Sequence, residues 1–293
     1  MTVTNGRMRD ACKVRTGSAN DLGTTVVGLA HCFFSPRRGV LLRYDALRTG
    51  PGGPWSSGGM LSILITAGPT REHLDDVRFL SNASSGRMGC ALAEAAMAAG
   101  HRATIVLGPV EVTPPAGAAV RSVTSALEMQ AAAADVFATS DIVIAAAAVS
   151  DWRPVARAAG KPARQPGRIT VEFEPNPDIV KGLAANKGDR IVFGFALESV
   201  SAGMPAAIER GRRKIVSKGL DAVVVNLHDT IGSDQAEFVL CYADGREQPL
   251  PRCDKRQAAE LLVRAAVEAW QAQNGSEPGR PNGTSSPPED LLK

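Results

Sequence analysis

Two patterns of apolar and polar positions follow one another repeatedly along the chain. Short, nearly continuous apolar runs such as Ile142–Ala145 and Ala222–Val225 are typical of strands covered on both faces. These runs predict strands at 62–66, 103–107, 141–147, 169–173, 190–196, 221–225 and 237–243. Amphipathic segments between them predict helices at 85–99, 124–139, 177–185, 204–218 and 254–272.

Strands that alternate with helices are typical of α/β proteins. The pattern predicts a Rossmann-like, doubly wound and mostly parallel sheet, in which ligands bind beyond the carboxyl ends of the strands. Residues 1–59 sustain no amphipathic period, and we interpret them as an extension that is disordered or reflects a misplaced start at Met60. Residues 60–273 form the predicted domain. Residues 274–293 are rich in Gly, Pro and Ser and predict a disordered tail.

Composition narrows the class of protein. The net charge is only +3, with 33 basic and 30 acidic residues, so a general nucleic-acid surface is not expected. Five scattered cysteines without a C-x-x-C pair argue against a disulfide scaffold or a zinc site, which favours a cytoplasmic protein. No apolar run approaches the roughly 18–20 residues that span a bilayer, so no membrane partner is expected.

The segment between Thr66 and Gly89 is the most informative in the chain. It connects a predicted strand to a predicted helix, but it is much longer than the roughly 2–6 residues usual in such loops. Long connections of this kind are functional or disordered, and Gly68 with Pro69 at its start favours an ordered loop. Its last residues, Ser84, Ser85 and Gly86, stand at the helix start, where free N–H groups attract anions. We predict a phosphate cradle there.

Three further loops follow strands on the ligand-binding side. Asp151 comes after a run of small residues, where it could bind a ribose or a base, or simply cap a turn. Lys161 could fold over a polyphosphate, although most loop lysines only face solvent. Asn176-Pro177-Asp178-Ile179 has the form of a helix start, with Asn176 as its cap.

Two lysines, Lys214 and Lys218, are four residues apart on the helix predicted at 204–218 and so share one face. They could clamp a triphosphate, or they could be a solvated helix end, since cations favour the last turn of a helix.

Taken in order, these loops resemble the phosphopantothenate–cysteine ligase family of coenzyme A biosynthesis. The resemblance covers about residues 62–270. The matching segments are Thr66-Ala-Gly68 with Arg71, Asp75, Val77 and Arg78, then Ser81-Asn82 and Ser84-Ser85-Gly86 with Met88 and Gly89, then Ala146 to Pro154, Asn176 to Ile179, Gly194-Phe195-Ala196, and Lys214 with Lys218 to Asp221. No single motif is decisive, but the ordered set is specific.

The resemblance implies a function. Members of this family activate 4′-phosphopantothenate with CTP and Mg²⁺ through an acyl-cytidylate, and cysteine then displaces CMP. Asn82 would hold the intermediate, and Lys161 would neutralise charge during the chemistry. The nucleotide would contact Asp151, Lys161, Asn176, Pro177, Asp178, Ile179, Phe195, Lys214 and Lys218. The resemblance names no metal ligands, and it leaves open which substrate's phosphate the Ser84–Gly86 cradle holds.

The resemblance also bears on organisation. It implies a homodimer formed in part through an arm near Lys161, for which Arg168–Phe173 is the candidate strand. The residues before Met60 are too few for the flavin-dependent decarboxylase that often precedes this domain, so we expect a stand-alone synthetase without flavin.

The sequence departs from the family pattern at three places. Lys161-Pro-Ala-Arg164 replaces the usual Lys-Ile-Lys-Lys, Leu197 stands where a smaller residue is usual, and Ile231 replaces an aromatic. ATP therefore stays open as an alternative to CTP. Two other functions also stay open, namely an NAD(P)-dependent reductase and a nucleotide-binding module without catalysis. The missing G-x-G-x-x-G and Tyr-x-x-x-Lys signatures disfavour the reductase.

Overall fold

A computed structural model describes residues 59–163, 166–198, 203–227 and 235–275. An eight-stranded sheet forms the centre of this part of the chain. Its strands are β1 (Ser62–Ala67), β4 (Arg102–Leu107), β5 (Ala119–Ser122), β6 (Ile142–Ala145), β9 (Ile191–Glu198), β10 (Ala222–Leu227), β12 (Val239–Tyr242) and β13 (Glu247–Pro249). They lie side by side in the order β13-β12-β10-β9-β6-β1-β4-β5. The six strands from β10 to β5 run parallel, and β12 and β13 continue the sheet antiparallel. The predicted fold class is confirmed.

Three small two-stranded sheets lie outside the central one. They pair β2 (Arg71–His73) with β3 (Phe79–Ser81), β7 (Trp152–Pro154) with β8 (Phe173–Pro175), and β11 (Gln235–Ala236) with β14 (Cys253–Asp254). The β2–β3 hairpin occupies the long connection after β1, so the expectation of an ordered loop there is confirmed.

Helices cover both faces of the sheet. They are α1 (Arg87–Ala98), α2 (Ala126–Phe137), α3 (Ile179–Ala184), α4 (Gly203–Lys218) and α5 (Lys255–Asn274). Helices α1 and α5 share one core with residues such as Ile65 and Ile144, and α2, α3 and α4 share the other with Val143 and Val223. Since the buried side chains of each strand alternate between these two cores, both faces are apolar and the strands read as continuous apolar runs.

Local chemistry explains where two of the helices begin. The Ser125 hydroxyl accepts from the N–H of Glu128, and the Glu128 carboxylate accepts from the N–H of Thr124, which forms a capping box at the start of α2. Asp254 caps α5 by accepting from the N–H of Gln257. No helix in the described ranges is both long enough and apolar enough to cross a membrane.

One predicted strand is wrong. Residues 169–172 form no strand, and only Phe173 belongs to one, β8. The apolar residues that suggested the strand are exposed, with Ile169 72% accessible, and the prediction failed because apolar side chains in this segment pack on no core of this chain. The sequence also missed β5 and β13, whose residues are all exposed and so lack the apolar runs of the central strands.

The predicted flanking segments fall largely outside the described residues. Residues 1–58 and 276–293 lie there, as do Arg164 and Ile231 of the loops that depart from the family pattern. The domain boundaries therefore stay predictions. The three cysteines that are described, Cys90, Cys241 and Cys253, are buried free thiols.

Candidate functional site

The connections that leave β1 and β6 meet the carboxyl end of β9 at one edge of the sheet. Because these three strands are parallel neighbours, their carboxyl ends point to the same edge. Three cavities of about 210, 380 and 570 Å³ lie there. The first and second cavities share Ala147 and Phe195, and the first and third share Ser84 and Ser85. The predicted ligand-binding side is therefore the side that carries the cavities.

The first cavity contains the predicted phosphate cradle. Ser84, Ser85 and Gly86 line it together with the first residues of α1. Gly86 is the N-cap of α1, and no side chain caps the helix, so backbone N–H groups of its first turn are left for other acceptors. Two basic side chains, Arg87 and Lys255, line the same cavity, and none of its described lining residues carries a carboxylate. This arrangement favours an anion.

Two glycines allow the cradle to form. Gly86 has a φ of 72°, in the left-handed region, and a Cβ there would lie 2.8 Å from Val110. A Cβ on Gly89 would lie 2.2 Å from the Cβ of Ala67, which means that α1 packs directly on the end of β1. Any larger residue at either position would push the helix start away from the sheet.

The second cavity gathers most of the predicted nucleotide contacts. Asp151, Asn176, Pro177, Asp178, Ile179, Phe195 and Lys218 all line it. Asp151 is exposed at its rim, so its carboxylate is accessible to a ligand. The cavity combines acceptors, an aromatic ring and a lysine, which suits a nucleoside with a charged tail.

Asn176 is engaged by other protein groups rather than free. Its Nδ2 donates to the carbonyl of Ser150 at 2.9 Å, and its Oδ1 accepts from the Arg153 guanidinium at 3.2 Å. The predicted helix cap is also displaced, because Asp178 and not Asn176 accepts from the N–H of Lys181 at the start of α3. Asn176 therefore ties the 176–179 loop to the 150–153 loop.

Asn82 lines the third cavity, next to the cradle. Its Nδ2 donates to the carbonyls of Ala148 and Val149 at 3.1 and 3.0 Å. These bonds fix the side-chain amide against the loop that leads to Asp151. Asn82 thus links the third cavity to the wall between the first and second.

The two lysines of α4 have different surroundings. Lys218 pairs with Asp178 at 3.0 Å and lines the second cavity. Lys214 lies against Glu198, 2.8 Å from Oε1, and lines none of the three cavities. Spacing of four residues placed both lysines on one face, but it could not show that Glu198 at the end of β9 holds Lys214 away.

Glu198 is a partly buried carboxylate between two basic side chains of α4. Its other carboxylate oxygen bonds to Arg210, so both oxygens are occupied by cations. Burial by itself would raise the pKa of Glu198, but the hydrogen bonds from Lys214 and Arg210 outweigh it and lower the pKa. The carboxylate therefore stays charged and keeps Lys214 paired.

Lys161 also lies apart from the three cavities. Its segment packs against the β2–β3 hairpin, where the carbonyl of Gly160 accepts from the N–H of Asp76 and Arg157 pairs with the Asp76 carboxylate. The structure of this single chain does not bring Lys161 to Asn82 or to the second cavity.

The β2–β3 hairpin itself is held by buried polar groups. Asp75 is 1% accessible in its side chain and accepts from the backbone N–H groups of Arg78 and Val77 and from the Arg78 guanidinium. The hydrogen bonds from the Arg78 and Val77 N–H groups lower the pKa of Asp75 to about 2. Glu72 is also buried and accepts from the N–H of Ala126 at the start of α2.

Sequence reasoning missed several residues at this edge. Asn226, in β10, and Phe238, directly before β12, line the first cavity from segments that carry no motif. Leu197, noted only as a departure from the family pattern, lines the same cavity and is 47% exposed. In the described part of the chain, no three His, Cys, Asp or Glu side chains lie close enough together to hold a metal ion.

Comparison with known proteins gives a consistent result. The family model described as the DNA/pantothenate metabolism flavoprotein C-terminal domain matches residues 60–269. The coenzyme A biosynthesis bifunctional protein CoaBC of Bacillus subtilis is 39% identical over 216 residues, which are 71% of this chain and 52% of that protein. The chain thus spans about half the length of the curated relatives that it matches.

Solved structures agree. The crystal structure of the C-terminal domain of a coenzyme A biosynthesis bifunctional protein CoaBC is 33% identical, with a TM-score of 0.60 over 71% of this chain and 95% of that one. A mutant of Cab2 in complex with phosphopantothenate-cysteine shares the fold, with a TM-score of 0.62 at 17% identity, over 74% of this chain and 89% of that one. The chain therefore belongs to the DNA/pantothenate metabolism flavoprotein C-terminal domain family.

Proposed function

We propose that the chain is a phosphopantothenate–cysteine ligase of coenzyme A biosynthesis, with CTP as the activating nucleotide. One observation carries the proposal. Loops that are far apart in sequence, at residues 82–86, 146–151 and 176–179, meet around adjoining cavities at one edge of the sheet. Membership of a family whose relatives are coenzyme A biosynthesis proteins supports it.

The proposed reaction has two steps. A carboxylate oxygen of 4′-phosphopantothenate attacks the α-phosphorus of CTP, the bond to the β-phosphate breaks, and pyrophosphate leaves. The amine of cysteine then attacks the acyl carbon, the anhydride C–O bond breaks, CMP leaves, and the nitrogen loses a proton. A carboxylate is a poor acceptor of amines, so the mixed anhydride supplies the leaving group. The protein contributes mainly alignment and charge stabilisation.

The cavities suggest how the substrates are arranged. The second cavity, with Asp151, Asn176 and Lys218, suits the nucleotide, whose phosphates would displace Asp178 from Lys218. Asn82 stands beside the cradle and the 148–151 loop, where its Oδ1 can face the acyl intermediate. Phe195 lines the first two cavities and suits a contact with both substrates.

Lys161 and Lys214 keep their proposed roles only if the protein rearranges. Lys214 would have to exchange Glu198 for a phosphate, and Lys161 would have to leave the β2–β3 hairpin or act across a dimer interface. Replacing Lys161 with Gln tests this. Near-normal turnover of that variant would rule out the role of Lys161 in the chemistry.

Magnesium is part of the proposal because the nucleotide is a triphosphate, whose charge the ion would shield during pyrophosphate release. The exposed carboxylate of Asp151 is the group of the second cavity that fits it, since the Asp178 carboxylate caps the start of α3. One protein ligand is compatible with Mg²⁺, which usually keeps several waters and phosphate oxygens.

Exposed apolar residues support a homodimer. Trp152, Val155 and Ile169 are more than half exposed, and Val171 and Phe173 are each 38% exposed, all on or beside the β7–β8 hairpin. This is the segment predicted to form the dimerisation arm. Contiguous apolar surface of this kind is typical of a protein interface.

A single assay tests the proposed function. Purified protein with 4′-phosphopantothenate, cysteine and Mg²⁺ is supplied with CTP, with ATP or with no nucleotide, and amide product and pyrophosphate are measured. We expect product with CTP only, and pyrophosphate that requires phosphopantothenate. Product with ATP would change the nucleotide, nucleotide binding without product would favour a non-catalytic module, and NADPH binding that CTP does not affect would favour a reductase.

A further inference from the structure

The loop at residues 148–151 forms part of the wall between the first two cavities and carries Asp151. Its backbone is held by groups from outside the loop. Asn82 donates to the carbonyls of Ala148 and Val149, and Asn176 donates to the carbonyl of Ser150. The position of the loop is therefore set by side chains from two other segments, and Thr70 adds a third.

Thr70 is completely buried and lines none of the three cavities. Its Oγ1 accepts from the N–H of Ser150 at 2.9 Å, and its carbonyl accepts from the hydroxyl of Ser81 at 2.7 Å. Its own N–H points to the carbonyl of Ala148, 3.4 Å away. Ser150 directly precedes Asp151, and Ser81 directly precedes Asn82, so Thr70 connects the backbones of two predicted site residues.

From this geometry we propose that Thr70 is a positioning residue for the ligation reaction, on the assumption that the proposed function holds. Its hydroxyl sets the separation between Asn82 and Asp151 without touching either substrate. Alignment of reacting groups is worth orders of magnitude in rate, and a displacement of about 1 Å can cost about 100-fold. A loop that loses one of its anchors can move by that much.

The change that tests this role is Thr70→Val, which keeps the shape of the side chain and removes the acceptor for the Ser150 N–H. We expect kcat to fall about tenfold or more and the KM for the nucleotide to rise by less than about threefold, because the displaced loop also carries Asp151. We also expect more than one pyrophosphate per amide formed, because an acyl-nucleotidylate that Asn82 holds poorly is lost to water. Thr70→Ser keeps the hydroxyl and should restore both values.

A stability control separates positioning from general loosening. Ser140 is also buried, and its hydroxyl donates to the carbonyl of Val136 at the opposite edge of the sheet. Ser140→Ala should lower the unfolding midpoint while leaving kcat and the pyrophosphate ratio unchanged. All variants are assayed at a temperature where circular dichroism shows them folded.

A double-variant cycle tests whether Thr70 acts through Asn82. Adding Thr70→Val to Asn82→Ala should lower kcat by less than about twofold further, because the group being positioned is already gone. Wild-type kcat in Thr70→Val, an equal defect in Thr70→Ser, or additive effects in the double variant would each overturn the proposal.

Hydrogen–deuterium exchange gives a readout that does not need turnover. Thr70→Val should speed exchange in peptides that span 80–83 and 148–152, and Ser140→Ala should not. If wild type makes no ligation product but Thr70→Val shows this change, the proposed function fails while the coupling of the two loops stands. Unchanged exchange in Thr70→Val overturns the positioning role whatever the activity.

Discussion

The amino edge of the central sheet, where its parallel strands begin, and the carboxyl edge, where they end, carry the same residue types in different roles. At the amino edge, Asp141 accepts from the N–H of Ser62, and Asp221 accepts from the N–H of Val192, so each aspartate anchors the strand beside its own. At the carboxyl edge, Asp151 lies in the connection that follows β6, and it is exposed beside a cavity. The two aspartates of the amino edge stabilise the fold, whereas the carboxylate of Asp151 at the carboxyl edge is accessible to a ligand.

Arginine shows the same contrast. Arg190, at the amino edge, donates to the carbonyls of Phe137, Ala138 and Ser140 and covers the Phe137 ring, so it closes the end of α2. Arg87, at the carboxyl edge, lines the first and third cavities. Charge alone does not mark a binding residue, because the fold places one guanidinium against carbonyls and the other at a cavity.

The largest expected effect is at the carboxyl edge. Asn82→Ala should lower ligase turnover by about 100-fold or more, because misalignment of reacting groups by about 1 Å can cost that much. Thermal unfolding should change little, because Asn82 is exposed and bonds only to loop carbonyls. Steady-state kinetics with CTP, together with a melting curve, checks both parts. Turnover within tenfold of wild type would contradict the role of Asn82.

The next prediction compares the loss of one aspartate from each edge. Asp221→Ala removes the partner of the Val192 N–H and of Lys187, and it should lower the free energy of unfolding by about 2 kcal/mol. Its KM for CTP should be unchanged. Asp151→Ala should do the reverse, with a KM for CTP about tenfold higher and stability within about 0.5 kcal/mol. Denaturant titration and kinetics on both variants decide, and equal behaviour of the two would break the comparison.

A smaller difference is expected between the two lysines of α4. Lys218→Gln should raise the KM for CTP by about tenfold, because Lys218 lines the second cavity. Lys214→Gln should raise it by less than about threefold, since Glu198 holds Lys214. An equal or larger effect at Lys214 would mean that nucleotide binding releases it from Glu198. Steady-state kinetics at varied CTP and saturating Mg²⁺ measure both KM values.

The last prediction concerns the pH dependence of stability. The expected difference in stability between wild type and the variant falls to zero in acid. The pKa of Asp75 is lowered to about 2 in the folded protein, below its ordinary value of 3.8. A lowered folded pKa means that the stabilisation is full above pH 4 and is lost as the pH falls toward 2. Asp75→Asn should therefore be less stable than wild type at neutral pH, and the gap should close below about pH 4. A constant gap across that range would contradict the assignment.

The sequence predicted the strands of the central sheet well where they are buried. Ile142–Ala145 and Ala222–Leu227 are continuous apolar runs because helices cover both of their faces. Prediction failed where apolar residues are exposed, at 169–172, and where strands are exposed, as in β5. An apolar pattern indicates that a segment can form a strand. Whether it does so depends on a neighbouring strand that can pair with it.

The candidate site was predicted unevenly for a similar reason. Motif residues in the connections that follow β1 and β6, such as Ser84 and Asp151, do line cavities, since the sheet brings the carboxyl ends together. Lys161 and Lys214 do not, because each packs on or pairs with a segment that no local pattern reveals.

The sequence by itself determined the alternation of buried strands and amphipathic helices, and with it the fold class and the edge at which a ligand is expected. Only the tertiary structure decided which charged groups at that edge are accessible and which are paired. The pattern of apolar positions is a local property, so it can be read directly from the sequence. The pairing of Lys214 with Glu198, or the clamping of the 148–151 loop by Thr70, depends on distances between segments that the chain order does not encode locally.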